Sequence, residues 1–150
     1  MDIVRRLKEE HEELQVAFTN LMSSEIDDPE AYGRSFVDLM IALESHERAE
    51  EQTIYAQLGS DLDIRPIALQ SMEEHRIARL LMRELADVEI TEEVWIPKLV
   101  VANNIVSLHI QIEEGNVFAI IEQLFDEDMR EKLDRDFEMV HRSTVLQLRS

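Results

Sequence analysis

The segment LESHERAEEQTIYAQL (residues 43–58) sets His46 and Glu50 four residues apart inside an apolar helical pattern. VSLHIQIEEGNVFAII (residues 106–121) does the same with His109 and Glu113. A spacing of four puts both side chains on one helix face, one turn apart. Imidazole nitrogen and carboxylate oxygen aimed at one point form a chelating half-site for a divalent or trivalent cation. Buried carboxylates are costly without a partner, and two would repel; a metal cancels both costs. His11 and His75 add one imidazole each. Two half-sites and two single histidines offer ligands enough for two metals, with the carboxylates free to bridge. Nitrogen and oxygen donors without sulfur suit iron, then manganese, with zinc as a further alternative. The competing explanation of each pair is a buried histidine–carboxylate hydrogen bond. His11 or His75 alone would read as a satisfied core histidine; the company of the six favours metal.

Long helices must carry these residues. Only three Gly and three Pro occur in 150 residues, and Val and Ile are scattered rather than alternating, which predicts an all-α fold without strands. The first helix is expected over about Asp2–Met22. Asp28 can cap a second, with Pro29 in its first turn, running to about Leu58. A third starts around Pro66 and ends near Ala86. A fourth spans about Trp95–Phe125, and a fifth runs from about 127 to 146. Each of the first four has a seam of three- and four-residue steps. These are Val4, Leu7, His11, Leu14, Phe18, Leu21; Phe36, Leu39, Leu43, His46, Glu50, Thr53; Ser71, His75, Ala78, Met82, Leu85; and Ala102, Val106, His109, Glu113, Asn116, Ile120. Short connections then predict one domain over 1–150. It is an up-down-up-down four-helix bundle (about 2–125) with an extra C-terminal helix that caps the bundle or mediates a dimer. At about 1.5 Å per residue, the four histidines fall at heights agreeing within roughly two turns.

Composition narrows the function. A formal charge of -18 argues against nucleic acid and against anionic membrane surfaces. No apolar run approaches a membrane span and the N-terminus lacks a signal-peptide stretch, so the expected location is the cytoplasm. With no Cys, thiolate metal sites, disulfides and Cys nucleophiles are excluded.

LKEEHEEL, HERAEEQTIYAQL, MEEHRIARLL and HIQIEEGNVFAII together resemble the four histidine-bearing segments of the hemerythrin-like, or HHE cation-binding, family. The order is the same: lone His, H-x-x-x-E-E, E-H, H-x-x-x-E-E. The resemblance covers about residues 5–125. It implies a non-haem di-iron centre, oxo- or hydroxo-bridged, with His11, His46, Glu50, His75, His109 and Glu113 as ligands and both glutamates bridging. It implies a small diatomic ligand, oxygen or nitric oxide. The oxygen carriers of that family have a second histidine four after the third-helix one, where this chain has Arg79. They have an Asp five after the fourth-helix one, where this chain has Glu114. Four histidines and two glutamates resemble the sensor, iron-handling or nitrosative-stress branches more than reversible carriers. A di-iron enzyme (a peroxidase or iron-centre repair protein) and a metal-free interaction bundle are the alternatives. No protein partner is indicated.

Other polar residues carry blander expectations. Glu47, about 100° from His46, is expected on the surface, with an extra ligand as the alternative if the helix locally deforms. Arg79 either reaches the site or pairs with an outer glutamate such as Glu84. His141 falls one position off its helix seam and is expected on the surface. Tyr32 and Tyr55 could approach a metal, but packing explains both; Asn116 is explained by a hydrogen bond to a ligand or to water.

Overall fold

A computed structural model describes residues 1–150. The chain is all-helical: α1 (Ile3–Ser23), α2 (Pro29–Gln52), α3 (Ile54–Leu58), α4 (Arg65–Ala86), α5 (Trp95–Ile112), a π turn (Glu113–Val117), α6 (Phe118–Leu124) and α7 (Glu127–Arg149). None of these helices is long and apolar enough to cross a membrane. Asp2, Asp28 and Asp126 cap α1, α2 and α7 by accepting hydrogen bonds from first-turn N–H groups. Pro29 occupies the first turn of α2, where its missing donor is harmless.

Two expected helices are interrupted, each just after a seam glutamate. The second breaks at Thr53, whose N–H reaches back only three residues, to the Glu50 carbonyl. The fourth widens into the π turn that begins at Glu113. A wider turn adds a residue and moves the seam by one position. The inward residues are therefore Val117 and Ile121, not Asn116 and Ile120; Asn116 is exposed. In α1 the buried residue of the first turn is Ile3, with Val4 only partly covered.

The core has two apolar compartments. Leu14, Phe18, Phe36, Leu43, Met82 and Trp95 belong to one, and Ile3, Leu7, Ile54, Leu58, Ile121 and Phe137 to the other. Along α1 and α4 the chain passes from the second compartment to the first, and along α2, and from α5 through the π turn into α6, from the first to the second. The six candidate residues lie where each helix changes compartment, so a polar layer separates two dry ones. Trp95, fully buried with its indole N–H donating to the Leu85 carbonyl, anchors the first.

Helix α7 packs along α2 and against α1. Arg6 grips buried Asp134 with both arms of its guanidinium and also approaches Glu138 at 3.5 Å. Removing one partner of such a pair strands the other charge. Arg6→Ala is expected to cost roughly 3 kcal/mol in urea unfolding, and Arg6→Met with Asp134→Leu to recover most of it. A cost below about 1 kcal/mol for the single change would show that the pair does not secure α7.

Candidate metal centre

His11, His46, Glu50, His75, His109 and Glu113 all converge in the polar layer, and all are buried. They form two overlapping groups. In one, atoms of His11, His46, Glu50 and Glu113 lie within 4.8 Å of one another; in the other, atoms of His75, His109, Glu50 and Glu113 do. Both carboxylates belong to both groups. Glu50 Oε1 lies 3.1 Å from His46 Nε2 and 3.2 Å from His75 Nε2. Glu113 places Oε1 at 3.0 Å from His11 Nε2 and Oε2 at 3.2 Å from His109 Nε2. The Tyr55 hydroxyl donates to Glu113 Oε2 and so fixes its rotation.

All four imidazoles point Nε2 inward because Nδ1 is held from outside. His11 Nδ1 meets Glu114 at 2.7 Å, His46 Nδ1 meets Glu10 at 3.0 Å, His75 Nδ1 meets Glu51 at 2.8 Å, and His109 Nδ1 meets Glu74 at 2.7 Å. An ionised carboxylate can only accept, so Nδ1 carries the proton and Nε2 is left with a lone pair. These partners form a closed ring: α1 serves α2, α2 serves α4, α4 serves α5, and the π turn serves α1. Each outer carboxylate is the chain neighbour of a site residue. A neighbour points about 100° away on its own helix and therefore reaches the histidine of the next one. The hydrogen bond from His109 holds Glu74 below the usual carboxylate range. Glu10 and Glu51 also lie below it: burial works against their charge, but His46, and His75 with Arg79, outweigh it.

This layer is under-satisfied by protein alone. Nε2 of His11 and His46, both oxygens of Glu50 and Oε1 of Glu113 are buried without a hydrogen-bond partner, although several sit about 3 Å apart. With the proton on Nδ1, each of these contacts sets an Nε2 lone pair against a carboxylate oxygen, two acceptors with no hydrogen between them. Nε2 of His75 and His109 face each other at 2.9 Å. Two lone pairs at that distance need a proton or a cation to reconcile them. Buried polar atoms in folded proteins are nearly always satisfied, and orphans converging on one point call for an ion. Without one, protons fill the role. Burial first, and Glu113's charge second, push Glu50 up to about 8. Burial works against a charged His109, yet Glu113 and Glu74 raise it to about 11. The donor set therefore fits a cation pair.

Several residues stand elsewhere than expected. Glu47 is buried, 3 % exposed, because it turns toward α4 and α5 instead of solvent. Burial pushes its carboxyl up to about 8 despite the Arg79 guanidinium at 3.7 Å. Arg79 bonds Glu51 at 2.9 Å, while Glu84 pairs with Lys98 instead. His141 is partly covered, its Nε2 3.6 Å from Glu10, since α7 lies over this end of α1. Glu10, Glu51 and Glu74 were not singled out by the sequence reading, which assigned Tyr55 to packing and noted Glu114 only as a departure from the oxygen carriers. The E-H and E-E doublets at 10–11, 50–51, 74–75 and 113–114 are the signal that marks the carboxylates.

No curated protein and no solved structure matches the chain. The family model of the hemerythrin HHE cation-binding domain matches residues 2–121, which takes in all four histidine-bearing segments and both glutamates. The chain belongs to the hemerythrin HHE cation-binding domain family.

Proposed function

We propose that this protein holds two iron ions in an up-down-up-down four-helix bundle and uses them to sense or handle oxygen, nitric oxide or iron. His11 and His46 hold one ion and His75 and His109 the other, with Glu50 and Glu113 shared. The carrying observation is the pair of overlapping, buried ligand groups whose inward atoms lack hydrogen-bond partners. Six side chains with two bridging carboxylates supply about eight of the roughly twelve bonds that two octahedral irons accept, so bound iron offers free positions to a small ligand.

The chain's own residues prepare that site. The outer carboxylates fix the tautomer and orientation of every imidazole. The apolar compartments above and below exclude water. A cavity of about 10 Å³ among His11, His46, Glu47 and His109 has room for roughly one water-sized molecule. Arg79 sits at the spacing where oxygen carriers place a further histidine, and it is engaged by Glu51 and Glu47. That favours sensing or handling over reversible carriage.

Metal analysis by mass spectrometry after anaerobic loading with ferrous iron, with an ultraviolet–visible spectrum after exposure to air, tests the proposal. About two irons per chain are expected; a folded protein that refuses iron overturns it. The outer ring has its own test. Glu74→Gln keeps the shape but weakens the hold on His109, and should lower iron affinity by about 10- to 100-fold in a competitive chelator titration. An unchanged affinity would mean that the outer carboxylates are only a solvated rim.

A further inference from the structure

The family match ends at residue 121, whereas α7 begins at Glu127. Yet α7 brings two rings to the polar layer. Phe137, fully buried, meets the His46 ring edge-on, with centroids 5.8 Å apart and planes at 72°. One turn later, the His141 ring lies 6.0 Å from Phe137. Its Nε2 is 3.6 Å from Glu10 Oε1, the same oxygen that accepts from His46 Nδ1 at 3.0 Å. Phe137 thus backs the imidazole and His141 closes the outer side of its carboxylate. The other three histidines are supported differently. The His11 ring stacks on Phe118 at 5.9 Å. Glu51, the partner of His75, is tied by Arg79 of α4. Glu74, the partner of His109, is approached by Gln70 of α4 at 3.5 Å.

We infer that α7 is a positioning element of the metal centre: Phe137 and His141 hold His46 and Glu10, so the His11–His46 position depends on this helix and the His75–His109 position does not. The inference rests on the two-metal reading above. Its physical basis is that a ligand's affinity depends on its pre-set orientation, and outer partners typically govern it by 10- to 100-fold. Arg79 is the counterpart on the opposite position, since it steadies the carboxylate of His75.

Stepwise anaerobic titration of the full chain with ferrous iron, with stoichiometry by native mass spectrometry, tests this. In His141→Ala one of the two binding steps should weaken by roughly tenfold and the other stay unchanged. His141→Gln, which keeps a polar N–H group of similar reach beside Glu10, should recover most of the loss, a recovery that simple packing would not give. Location comes from combination. His141→Ala added to His75→Ala should weaken the remaining ion further, whereas Arg79→Ala added to His75→Ala should add little, because both act at one position. Phe137→Leu should repeat the His141→Ala pattern; should it fail to fold, the His141 variants decide alone. Equal weakening of both steps, or no change in either, overturns the inference while leaving two-metal binding intact. A wild-type chain that takes up no iron would sink the two-metal reading and this inference with it.

Discussion

Glu113→Ala is expected to empty both metal positions, whereas His11→Ala should empty one. Glu113 belongs to both ligand groups, with one oxygen toward His11 and the other toward His109. No neighbour can replace it. Glu114 already accepts from His11, and Tyr55, which donates to Glu113, offers no anionic oxygen. Losing the carboxylate takes a ligand from each ion and also removes a negative charge from a buried cationic pair. Since outer partners alone govern affinity by about 10- to 100-fold, loss of a shared ligand should exceed about 100-fold at each position. His11 belongs to one group only, so its removal should leave the His75–His109 position loaded. Metal content after gel filtration and ferrous titration of both variants separate the cases. Glu113→Ala retaining about two irons, or His11→Ala losing both, would contradict a shared bridging role.

Stripping the metal from the wild type should lower its melting temperature by roughly 10 °C or more. A ligand that binds only the folded state adds about 4 kcal/mol when present at about a thousand times its Kd. For a domain of this size each kcal/mol moves the midpoint by about 2–4 °C. The metal-free layer is also intrinsically unfavourable, because both Glu50 oxygens are buried without hydrogen-bond partners beside a second carboxylate. Glu50→Gln holds this side chain in a neutral form whatever the pH and takes away the oxygen anion a metal would need. It should leave the metal-free protein as stable as the wild-type apoprotein or more so, while abolishing the gain on adding iron. Scanning calorimetry with chelator and with added iron checks both. A wild-type midpoint indifferent to chelator would mean that the layer is satisfied without metal. An apo Glu50→Gln protein much less stable than apo wild type would mean that Glu50 is a structural hydrogen-bonding group.

The inward faces of α1, α2, α4 and α5 were legible in the sequence because burial imposes three- and four-residue steps, which His11, His46, Glu50, His75, His109 and Glu113 keep along with their apolar neighbours. Helix starts were legible at Asp28–Pro29 and at Asp126, where capping chemistry is local. The π turn was not legible. Nothing in the chain's periodicity announces one extra residue after Glu113, and the seam read forward at 3.6 residues per turn lands on Asn116 when Val117 is the inward residue. Glu47 and His141 were misplaced for a tertiary reason: each lies off its own seam, and what covers it is another helix. The ring of Glu10, Glu51, Glu74 and Glu114 depends on knowing which helices are neighbours, which no single-helix pattern contains.

The most direct measurement is anomalous X-ray diffraction at the iron edge from crystals of the iron-loaded protein. Two peaks are expected inside the polar layer, one bounded by His11 and His46 and the other by His75 and His109, each within bonding distance of both Glu50 and Glu113. A single peak, or peaks confined to carboxylates on the outer surface with the four imidazoles unligated, would contradict the account.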